Sequence, residues 1–376
     1  MEQWKECRLG DILNFRRGYD LPKTKMVAGF IPVAGSNGII GYHNEATPIS
    51  PCITIGRSGN VGTPYIYEHC WAHNTVLYVD DFKGNNPYYL YYLLKTLPLA
   101  SFGGGSAVPT LNRNHIHPIE VKFTPNIEIQ NRIVSILSSI DNKIDNNKKI
   151  NSNLEEQAKA LFKSWFIDFE SFKGGKFVDS ELGKIPEGWK VTTIGDVTDN
   201  IKEKVGDRDN IKVLSPITSG QLVLSEDYFS KQVFSNSIAK YIVVKHNDFA
   251  YNPARINIGS IGMNELDFDG CVSPVYVVFR CQKGYEYFFD LYRRTTFFTE
   301  EVKKRAIGGV RQTLSYKDLS LIQLVYPPKK VIDVFNSIYI SLLHSIHSND
   351  VSNRKLEVLR DTLLPRLMSG DIEVRS

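Results

Sequence analysis

The sequence contains two groups of polar and basic residues whose side chains suit the reading of DNA bases. Arginine can donate two hydrogen bonds to guanine, asparagine or glutamine can pair with adenine, and serine or threonine can bind several bases. The first group consists of Arg16, Arg17, Ser36, Asn37, Arg57, Ser58, Asn60, Ser106, Thr110, Asn112, Arg113 and Asn114. The second group consists of Ser219, Gln221, Arg255, Asn257, Ser260, Arg311, Gln312, Ser315 and Lys317. These are the candidate DNA-binding residues.

Glycine-rich turns carry most of these candidates. Such turns expose backbone N–H groups that can bind phosphate. Glycine, serine and asparagine also favour turns for conformational reasons alone, so turn formation explains any single residue equally well. DNA contact is the favoured interpretation for the turns of Arg57 and Arg255 and for those ending at Arg113 and Arg311, because arginine is the commonest reader of guanine.

Three short motifs resemble parts of catalytic sites, and each is incomplete. Asn86-Pro87-Tyr88-Tyr89 lacks the second proline of an amino-methyltransferase loop, and Glu120-Val121-Lys122 lacks the partner aspartate of a metal-dependent nuclease. Gly56-Arg57-Ser58-Gly59 lacks the full hydrolase elbow. We therefore expect no catalytic residue, no metal and no cofactor. A DNA-modifying enzyme that acts alone, as a methyltransferase or nuclease with a duplicated DNA-binding region, is the alternative.

Composition limits the class of protein without identifying it. A chain of 376 residues is long enough for more than one domain. The net charge of +4 points only weakly to nucleic acid. The five cysteines are scattered and form no Cys-x-x-Cys pair, which is typical of a reducing compartment and argues against a zinc site. No apolar run reaches the roughly 18 residues of a membrane span.

An internal repeat places the two candidate groups at equivalent positions in the two halves of the chain. The opening Trp4-Lys5 with Leu9-Gly10-Asp11-Ile12 returns as Trp189-Lys190 with Ile194-Gly195-Asp196-Val197. Thr110-Leu111 likewise returns as Thr313-Leu314. Matched anchors in the same order predict two modules of one fold. Gly174-Gly175 and the segment 185–188 predict a linker between them.

Each module is followed by a stretch with the apolar spacing of a long helix. The apolar stripes advance in steps of three and four residues, as in a coiled coil, and run to about 40 residues, or roughly 60 Å. Each stripe is interrupted by two asparagines, Asn147 and Asn151 in the first and Asn349 and Asn353 in the second. Paired asparagines in an apolar seam set helix register. We therefore predict an antiparallel helix pair.

Together these features resemble the specificity (S) subunit of type I restriction–modification systems, over essentially the whole chain. The resemblance rests on the two Trp-Lys openings, the segment Ile127–Val134, the helix end at 161–166, and the Leu364-Pro365 to Gly370 tail. The runs Gly35–Tyr42 and Asn252–Gly262 are similar to runs in the target-recognition domains of that family. Lys329–Asp333 departs from the family pattern, because it lacks the Gln-x-Arg signature before the second helix.

The resemblance implies an α+β fold, with two mixed α/β target-recognition domains separated by two long helices packed as an antiparallel, pseudo-twofold coiled coil. The implied boundaries are 1–125 and 173–328 for the recognition domains and 126–172 and 329–376 for the spacer helices. It also implies a non-catalytic subunit that binds a bipartite, asymmetric site on double-stranded DNA. The implied partners are two methyltransferase (M) subunits and restriction–translocase (R) subunits, in the cytoplasm of a bacterium or archaeon.

Overall fold

The computed structural model describes residues 4–104, 109–229, 231, 234–235, 237–306 and 312–374. The chain divides into two compact units, here called the first unit (residues 1–149 and 348–376) and the second unit (residues 150–347). Each unit combines small β-sheets with part of two long helices. The predicted α+β class and the internal repeat are confirmed.

The strands and short helices of the first unit come from residues 5–123. Its strands are β1 Lys5–Arg8, β2 Asn14–Arg17, β3 Ile31–Gly35, β4 Gly38–His43, β5 Cys52–Gly56, β6 Pro64–Tyr67, β7 Trp71–Ala72, β8 Val76–Asp81 and β9 Glu120–Phe123. Its helices are α1 Leu9–Ile12, α2 Pro87–Thr96, α3 Arg113–Ile116 and the first part of α4 Ile127–Phe162.

The strands and short helices of the second unit come from residues 177–326. Its strands are β10 Phe177–Ser180, β11 Gly183–Pro186, β12 Lys190–Thr193, β13 Thr198–Ile201, β14 Lys212–Pro216, β15 Leu222–Leu224, β16 Ile242–Val244, β17 Phe249–Tyr251, β18 Ile261–Met263, β19 Gly270–Val272, β20 Val277–Cys281 and β21 Gln323–Tyr326. Its helices are α5 Ile194–Val197, α6 Ser225–Tyr228, α7 Glu286–Tyr292, α8 Thr296–Arg305, α9 Tyr316–Ser320 and part of α10 Lys329–Met368.

The two units share one sheet topology. The four-stranded sheet β2-β8-β5-β6 corresponds to β13-β20-β17-β18, and the two-stranded pair β1-β9 corresponds to β12-β21. In the remaining sheets, β3 runs parallel to β7 as β14 runs parallel to β19. The strand β16 and the hairpin β10–β11 have no counterparts among the described strands of the first unit. The duplicated sequence therefore folds as a duplicated module.

The repeated Leu-Gly-Asp motif has the same structural role in each unit. Asp11 accepts a hydrogen bond from the Arg8 N–H, and Asp196 accepts one from the Thr193 N–H, both at 3.1 Å, so each aspartate closes the start of a short helix. The glycine is required by packing, because a β-carbon on Gly195 would lie 2.9 Å from the Ser320 β-carbon. The motif thus fixes the entry to β2 and β13.

The long helices begin and pack largely as their spacing predicts. The Asn126 side chain accepts the N–H groups of Glu128 and Ile129, at 2.9 and 3.3 Å, and so caps α4. The predicted seam residues Ile133, Leu137, Ile140 and Ile144 are buried. Full burial of each such side chain contributes about 1.5–3 kcal/mol to folding.

The helices run antiparallel in each unit. In the first unit, Asn147 pairs with Asn353 at 2.8 Å, while Asp141, earlier in α4, pairs with Arg360, later in α10, at 3.0 Å. In the second unit, Asn151 Nδ2 lies 3.4 Å from the carbonyl of Ile346, while Phe162, later in α4, packs on Phe335, earlier in α10, with ring centroids 6.2 Å apart. The predicted antiparallel coiled coil is therefore confirmed.

Two expectations about the middle of the chain are corrected. Regular α-helix ends at Phe162, and residues 163–167 form a wider π turn, because Phe166 packs into an aromatic cluster with Phe288 and Phe335. The predicted linker is also structured, since β10 and β11 form a hairpin within it and Ile185 is buried. The glycines correctly indicated turns in this segment. Burial of its apolar side chains, Ile185 and Trp189 among them, nevertheless holds the segment to the core of the second unit.

In the described part of the chain, no helix combines the length and apolar character that crossing a bilayer requires.

Candidate nucleic-acid interface

Four predicted arginines line one open pocket in the first unit, here called the arginine pocket. Arg16 and Arg17 come from β2, Arg57 follows β5, and Arg113 begins α3. The pocket has a volume of about 330 Å³. The residues between Thr110 and Arg113 complete its wall. Residues distant in sequence are thus gathered into a single basic concavity.

Backbone hydrogen bonds fix the turn that carries Arg57. The Arg57 N–H donates to the Thr75 carbonyl at 2.8 Å, and the Arg57 carbonyl accepts from the Leu111 N–H at 2.7 Å. The Gly59 N–H donates to the Pro109 carbonyl at 3.3 Å, and φ of Gly59 is +85°, a value that favours glycine. The turn is therefore tied to the segment that leads to Arg113.

The charges in this pocket are only partly compensated. Arg113 donates to the Phe15 carbonyl at 3.2 Å, and Arg17 lies 3.7 Å from Asp20 in an exposed pair. Within the described ranges, no ion pair to Arg16 or Arg57 is present. A concave surface of uncompensated guanidinium groups attracts phosphate and can present two donors to a guanine.

His117 supports the strand that carries Arg16 and Arg17. Its Nε2 accepts the N–H of Phe15 at 3.1 Å, and its ring stacks on the Phe15 ring with centroids 6.0 Å apart. Burial lowers the pKa of His117, and the nearby Arg113 and Lys83 lower it further. The imidazole is therefore held in the neutral form that this acceptor role requires.

The second unit has a larger pocket built from the corresponding elements, here called the lysine pocket. It is lined by Lys202, Lys204, Lys240 and Lys317 and has a volume of about 600 Å³. Its walls include β13, β20 and the segment 313–317, the counterparts of β2, β8 and the segment 110–114. Lysine is a flexible point charge and suits phosphate better than two-point base recognition.

Arg113 and Tyr316, at equivalent places in the repeat, each donate a hydrogen bond to the first strand of the neighbouring sheet. Arg113 donates to a backbone carbonyl of β2, and the Tyr316 hydroxyl donates to the Thr198 carbonyl of β13 at 2.9 Å. Each side chain therefore ties a short helix to the strand that lines its pocket.

Two predicted DNA-binding residues are corrected by their burial. The Ser36 hydroxyl lies 2.6 Å from the Ser58 carbonyl, and the Ser260 hydroxyl donates to the Pro216 carbonyl at 2.7 Å. Ser36 is 8% exposed and Ser260 is 1% exposed, so neither side chain can reach a base. Both instead fasten a β-hairpin to the neighbouring glycine-rich turn.

Asn112 and Ser315 each cap a short helix, a role that the sequence analysis did not predict. The Asn112 side chain accepts the Asn114 N–H at 3.0 Å, and the Ser315 hydroxyl accepts the Asp318 N–H at 3.2 Å. Both residues remain exposed.

Several other candidates lie at or near the surface. Asn257 and Gln312, distant in sequence, come together at 3.3 Å. Ser219 donates to Gln221 at 3.1 Å. Exposed positions are also occupied by Asn37, Asn60, Asn114 and Arg255, whereas Ser58 and Thr110 are half-buried and paired through a β-bridge. Ser106 and Arg311 lie outside the described residues.

Three lysines of the lysine pocket were missed by sequence reasoning. Lys202 stands at the same distance after Ile194 as Arg17 stands after Leu9, so alignment of the repeats could have found it. Lys204 and Lys240 carry no such signal, because the loops that hold them have diverged.

The incomplete catalytic motifs have structural explanations. Asn86 caps α2, since its side chain accepts the N–H groups of Tyr88 and Tyr89 at 2.8 and 3.2 Å. Glu120 and Lys122 are exposed residues of β9, opposite Arg8 and Glu6. Among the described residues, no group of three or more metal-ligating side chains is assembled.

The known proteins that this chain resembles are specificity subunits of type I restriction enzymes. Residues 1–156 match the model of the type I restriction modification DNA specificity domain. The chain is 29% identical over 306 residues to the MjaIX specificity subunit of Methanocaldococcus jannaschii, covering 76% of this chain and 69% of that protein. It is 24% identical over 324 residues to the HindI specificity subunit of Haemophilus influenzae, covering 66% and 68%.

A solved structure shares the fold over nearly the whole chain. The S subunit of a type I restriction–modification system from M. genitalium superposes with a TM-score of 0.64 at 13% identity, covering 99% of this chain and 97% of that one. At this identity the likeness supports the fold.

Proposed function

We propose that the chain is a specificity subunit of the type I restriction–modification family, because residues 1–156 match the model of that family's DNA specificity domain and the curated relatives are specificity subunits. It is the sequence-specificity subunit of such a system and acts together with the other subunits on DNA. We propose that each recognition domain, residues 1–125 and 173–328, reads one half of a bipartite site. The helix segments 126–172 and 329–376 set the gap between the half-sites.

One observation carries this proposal. The two units build basic pockets from corresponding elements, yet one is lined by arginines and the other by lysines. A shared scaffold gives both pockets the basic character that DNA binding needs, but only the arginine pocket offers paired donors that can recognise a guanine. The expected target is therefore asymmetric.

The proposed contacts divide between the two pockets and their neighbouring loops. In the first domain, Arg16, Arg17, Arg57 and Arg113 bind bases and phosphates, and Asn37, Ser58, Asn60, Thr110, Asn112 and Asn114 surround them. In the second domain, Ser219, Gln221, Arg255, Asn257, Gln312, Ser315 and Lys317 make the equivalent contacts, and the lysine pocket holds phosphate. Ser36 and Ser260 are left out because they are buried.

The proposed assembly contains two M subunits docked on the helices and R subunits that join them, in the cytoplasm of a bacterium or archaeon. The M and R subunits supply the methylation and cleavage, and this chain supplies the recognition. A stand-alone DNA-modifying enzyme is not favoured, because the relatives are specificity subunits.

Methylome sequencing tests this function directly. A host carrying the chain with its M subunit is expected to modify a split motif, and replacing residues 1–125 with those of a relative is expected to change one half only. The matched control replaces residues 173–328 and should change the other half. A continuous motif, or methylation that persists without the chain, would refute the proposal.

A further inference from the structure

The loop between β14 and β15, residues 217–221, is here called the reading loop. It is a tight turn, in which the Gly220 N–H donates to the Ile217 carbonyl at 3.1 Å and the Ile217 N–H donates to the Gln221 carbonyl at 3.0 Å. Ser219 and Gln221 are exposed and bonded to each other. The loop therefore presents an amide and a hydroxyl at the surface of the second unit.

Arg293, at the end of α7, holds this loop from inside the protein. One terminal nitrogen of its guanidinium donates to the Gly220 carbonyl at 2.8 Å, and the other donates to the Ile261 carbonyl of β18 at 2.9 Å. The residue is only 6% exposed. A planar guanidinium suits this double role because its donors have a fixed geometry.

Asp290 makes the burial of this charge possible. Its carboxylate accepts from Arg293 Nε at 3.0 Å and from Arg294 at 2.6 Å, and its side chain is 1% exposed. An unpaired buried guanidinium would be strongly unfavourable. Arg294 shares the carboxylate but is about half exposed, and no contact between it and the reading loop is present among the described residues.

Three glycines fit closely around the reading loop. A β-carbon on Gly259 would lie 2.7 Å from the Thr218 carbonyl oxygen, and one on Gly262 would lie 2.6 Å from the Gln221 backbone. One on Gly220 would lie 2.9 Å from Arg293, and φ of Gly220 is +82°. The loop is thus enclosed by backbone on one side and by Arg293 on the other.

We propose that Arg293 is a positioning residue that preorganises the reading loop, and that Ser219 and Gln221 are specificity-determining residues for the half-site of the second domain. This inference rests on the proposed function. Glutamine can pair with adenine through two hydrogen bonds. A loop that is rigid before binding loses less conformational entropy when it docks, so its hydrogen bonds contribute more fully to discrimination.

The test measures base preference at every position of the target. The full chain and each variant are assembled with the same excess of M subunit and bound to a random-sequence library of double-stranded DNA, and the bound sequences are counted. The variants are Gln221→Ala, Arg293→Met, Arg293→Lys and Gly220→Ala. Arg294→Met is the matched control, because it also removes a charge from Asp290 without touching the loop.

We expect Gln221→Ala to reduce discrimination at one or two positions of one half-site by about tenfold. Arg293→Met and Gly220→Ala are expected to relax the same positions, while the other half-site and the salt dependence stay unchanged. Arg293→Lys should retain only part of the discrimination of the unaltered chain, because an ammonium lacks the fixed planar donors with which a guanidinium reaches both carbonyls. Arg294→Met should match the unaltered chain.

Different outcomes would contradict the proposed function and the role proposed for Arg293. If the unaltered chain selects no split sequence, the proposed function fails. If it selects one, and Arg293→Met weakens all positions of the half-site equally, Arg293 has only a structural role. Gly220→Ala retains both Arg293 and Asp290 and strains the loop itself, so unchanged preferences in that variant would also overturn the inference, even where Arg293→Met fails to fold.

Discussion

Asn147 and Asn353 form a buried hydrogen bond across the helix pair of the first unit, with Asn147 Nδ2 donating to Asn353 Oδ1 at 2.8 Å. Asn147 is 1% exposed and Asn353 is 6% exposed. The side-chain oxygen Oδ1 of Asn147 has no hydrogen-bond partner among the described residues. The pair therefore specifies how the helices align at some cost in stability.

Replacing one member of this pair should destabilise the protein, whereas replacing both should not. Asn147→Leu leaves the Asn353 amide buried without its partner, which we expect to lower the free energy of unfolding by about 1–3 kcal/mol. The double replacement by leucine is expected to restore or exceed the original stability. The measurement is the thermal unfolding midpoint of the full chain.

The exposed neighbour Asn146 provides the control for these leucine variants. Asn146→Leu should change stability by no more than about 0.5 kcal/mol, because surface substitutions have small effects. Equal effects of Asn146→Leu and Asn147→Leu would contradict a role for the buried pair.

The helix pair was predictable because its periodicity is local and repeated. The alternating spacing of four and three residues between Ile133, Leu137, Ile140 and Ile144 defines the apolar seam of α4 before the helix it packs against is known. The salt bridge of Asp141 was not predictable, because Arg360 occupies a seam position and its partner is identified only by the packing of the other helix.

The candidate site was predictable by residue type but not by side-chain direction. Arg57 and Arg113 came from turn chemistry and the repeat, and the structure brings them into one pocket. Ser36 also lies in a polar turn beside glycine, but its hydroxyl points inward to the Ser58 carbonyl. That direction depends on how the β-hairpin packs. Arg293 gave no signal, since its role depends on burial and on two backbone carbonyls distant in sequence.

Gly195 should resist substitution by alanine although it lies in a helix. In an open helix the change would stabilise by up to about 1 kcal/mol. Here the new β-carbon would lie 2.9 Å from the Ser320 β-carbon, so we expect a loss of about 1–3 kcal/mol from overpacking. Chemical denaturation of Gly195→Ala measures this loss.

Removal of the opposing side chain supplies the matched rescue for Gly195→Ala. The double variant Gly195→Ala, Ser320→Gly should recover part of the lost stability, and only part, because the Ser320 carbonyl oxygen also lies 3.2 Å from the new carbon. No recovery would show that the steric explanation is incorrect.

His117 should make the first unit sensitive to acid. Its pKa is lowered from the ordinary value of 6.5, chiefly by burial, so the neutral form is favoured in the folded protein. Above pH 6.5 this contributes no pH dependence. As the pH falls below that value, the unfolded chain takes up a proton first, and stability declines until the lowered pKa of the folded state is reached.

Unfolding midpoints measured between about pH 7 and pH 5 test this expectation, since the ordinary histidine pKa lies in that window. His117→Gln should flatten the decline, because glutamine does not titrate and its oxygen can still accept the Phe15 N–H. His115→Gln is the control, since His115 is exposed. An unchanged decline in His117→Gln would assign the acid sensitivity to another group.

Arg57 should contribute to base discrimination. Arg57→Ala is expected to reduce discrimination by about 1–3 kcal/mol at one base pair of one half-site. Arg57→Lys keeps the charge but loses the two-point fork, so it should lose discrimination while retaining the salt dependence of binding. Competition binding with single-base variants of the target measures both quantities.

The exposed Arg354 of α10 serves as the charge control for Arg57. Arg354→Ala should leave base preference unchanged. If Arg57→Lys preserves full discrimination, then Arg57 binds phosphate rather than a base.

Lys317 should bind phosphate and therefore affect all sequences alike. It lies in the lysine pocket with three other lysines, where it can neutralise backbone charge. Lys317→Ala is expected to weaken binding about uniformly and to reduce the slope of log affinity against log salt by about 1, because one fewer counterion is released. Lys355→Ala, at an exposed position on α10, should leave the slope unaltered in DNA binding by the chain alone. A loss confined to particular bases, with the slope intact, would instead identify Lys317 as a base reader and make the two pockets more alike than their charges indicate.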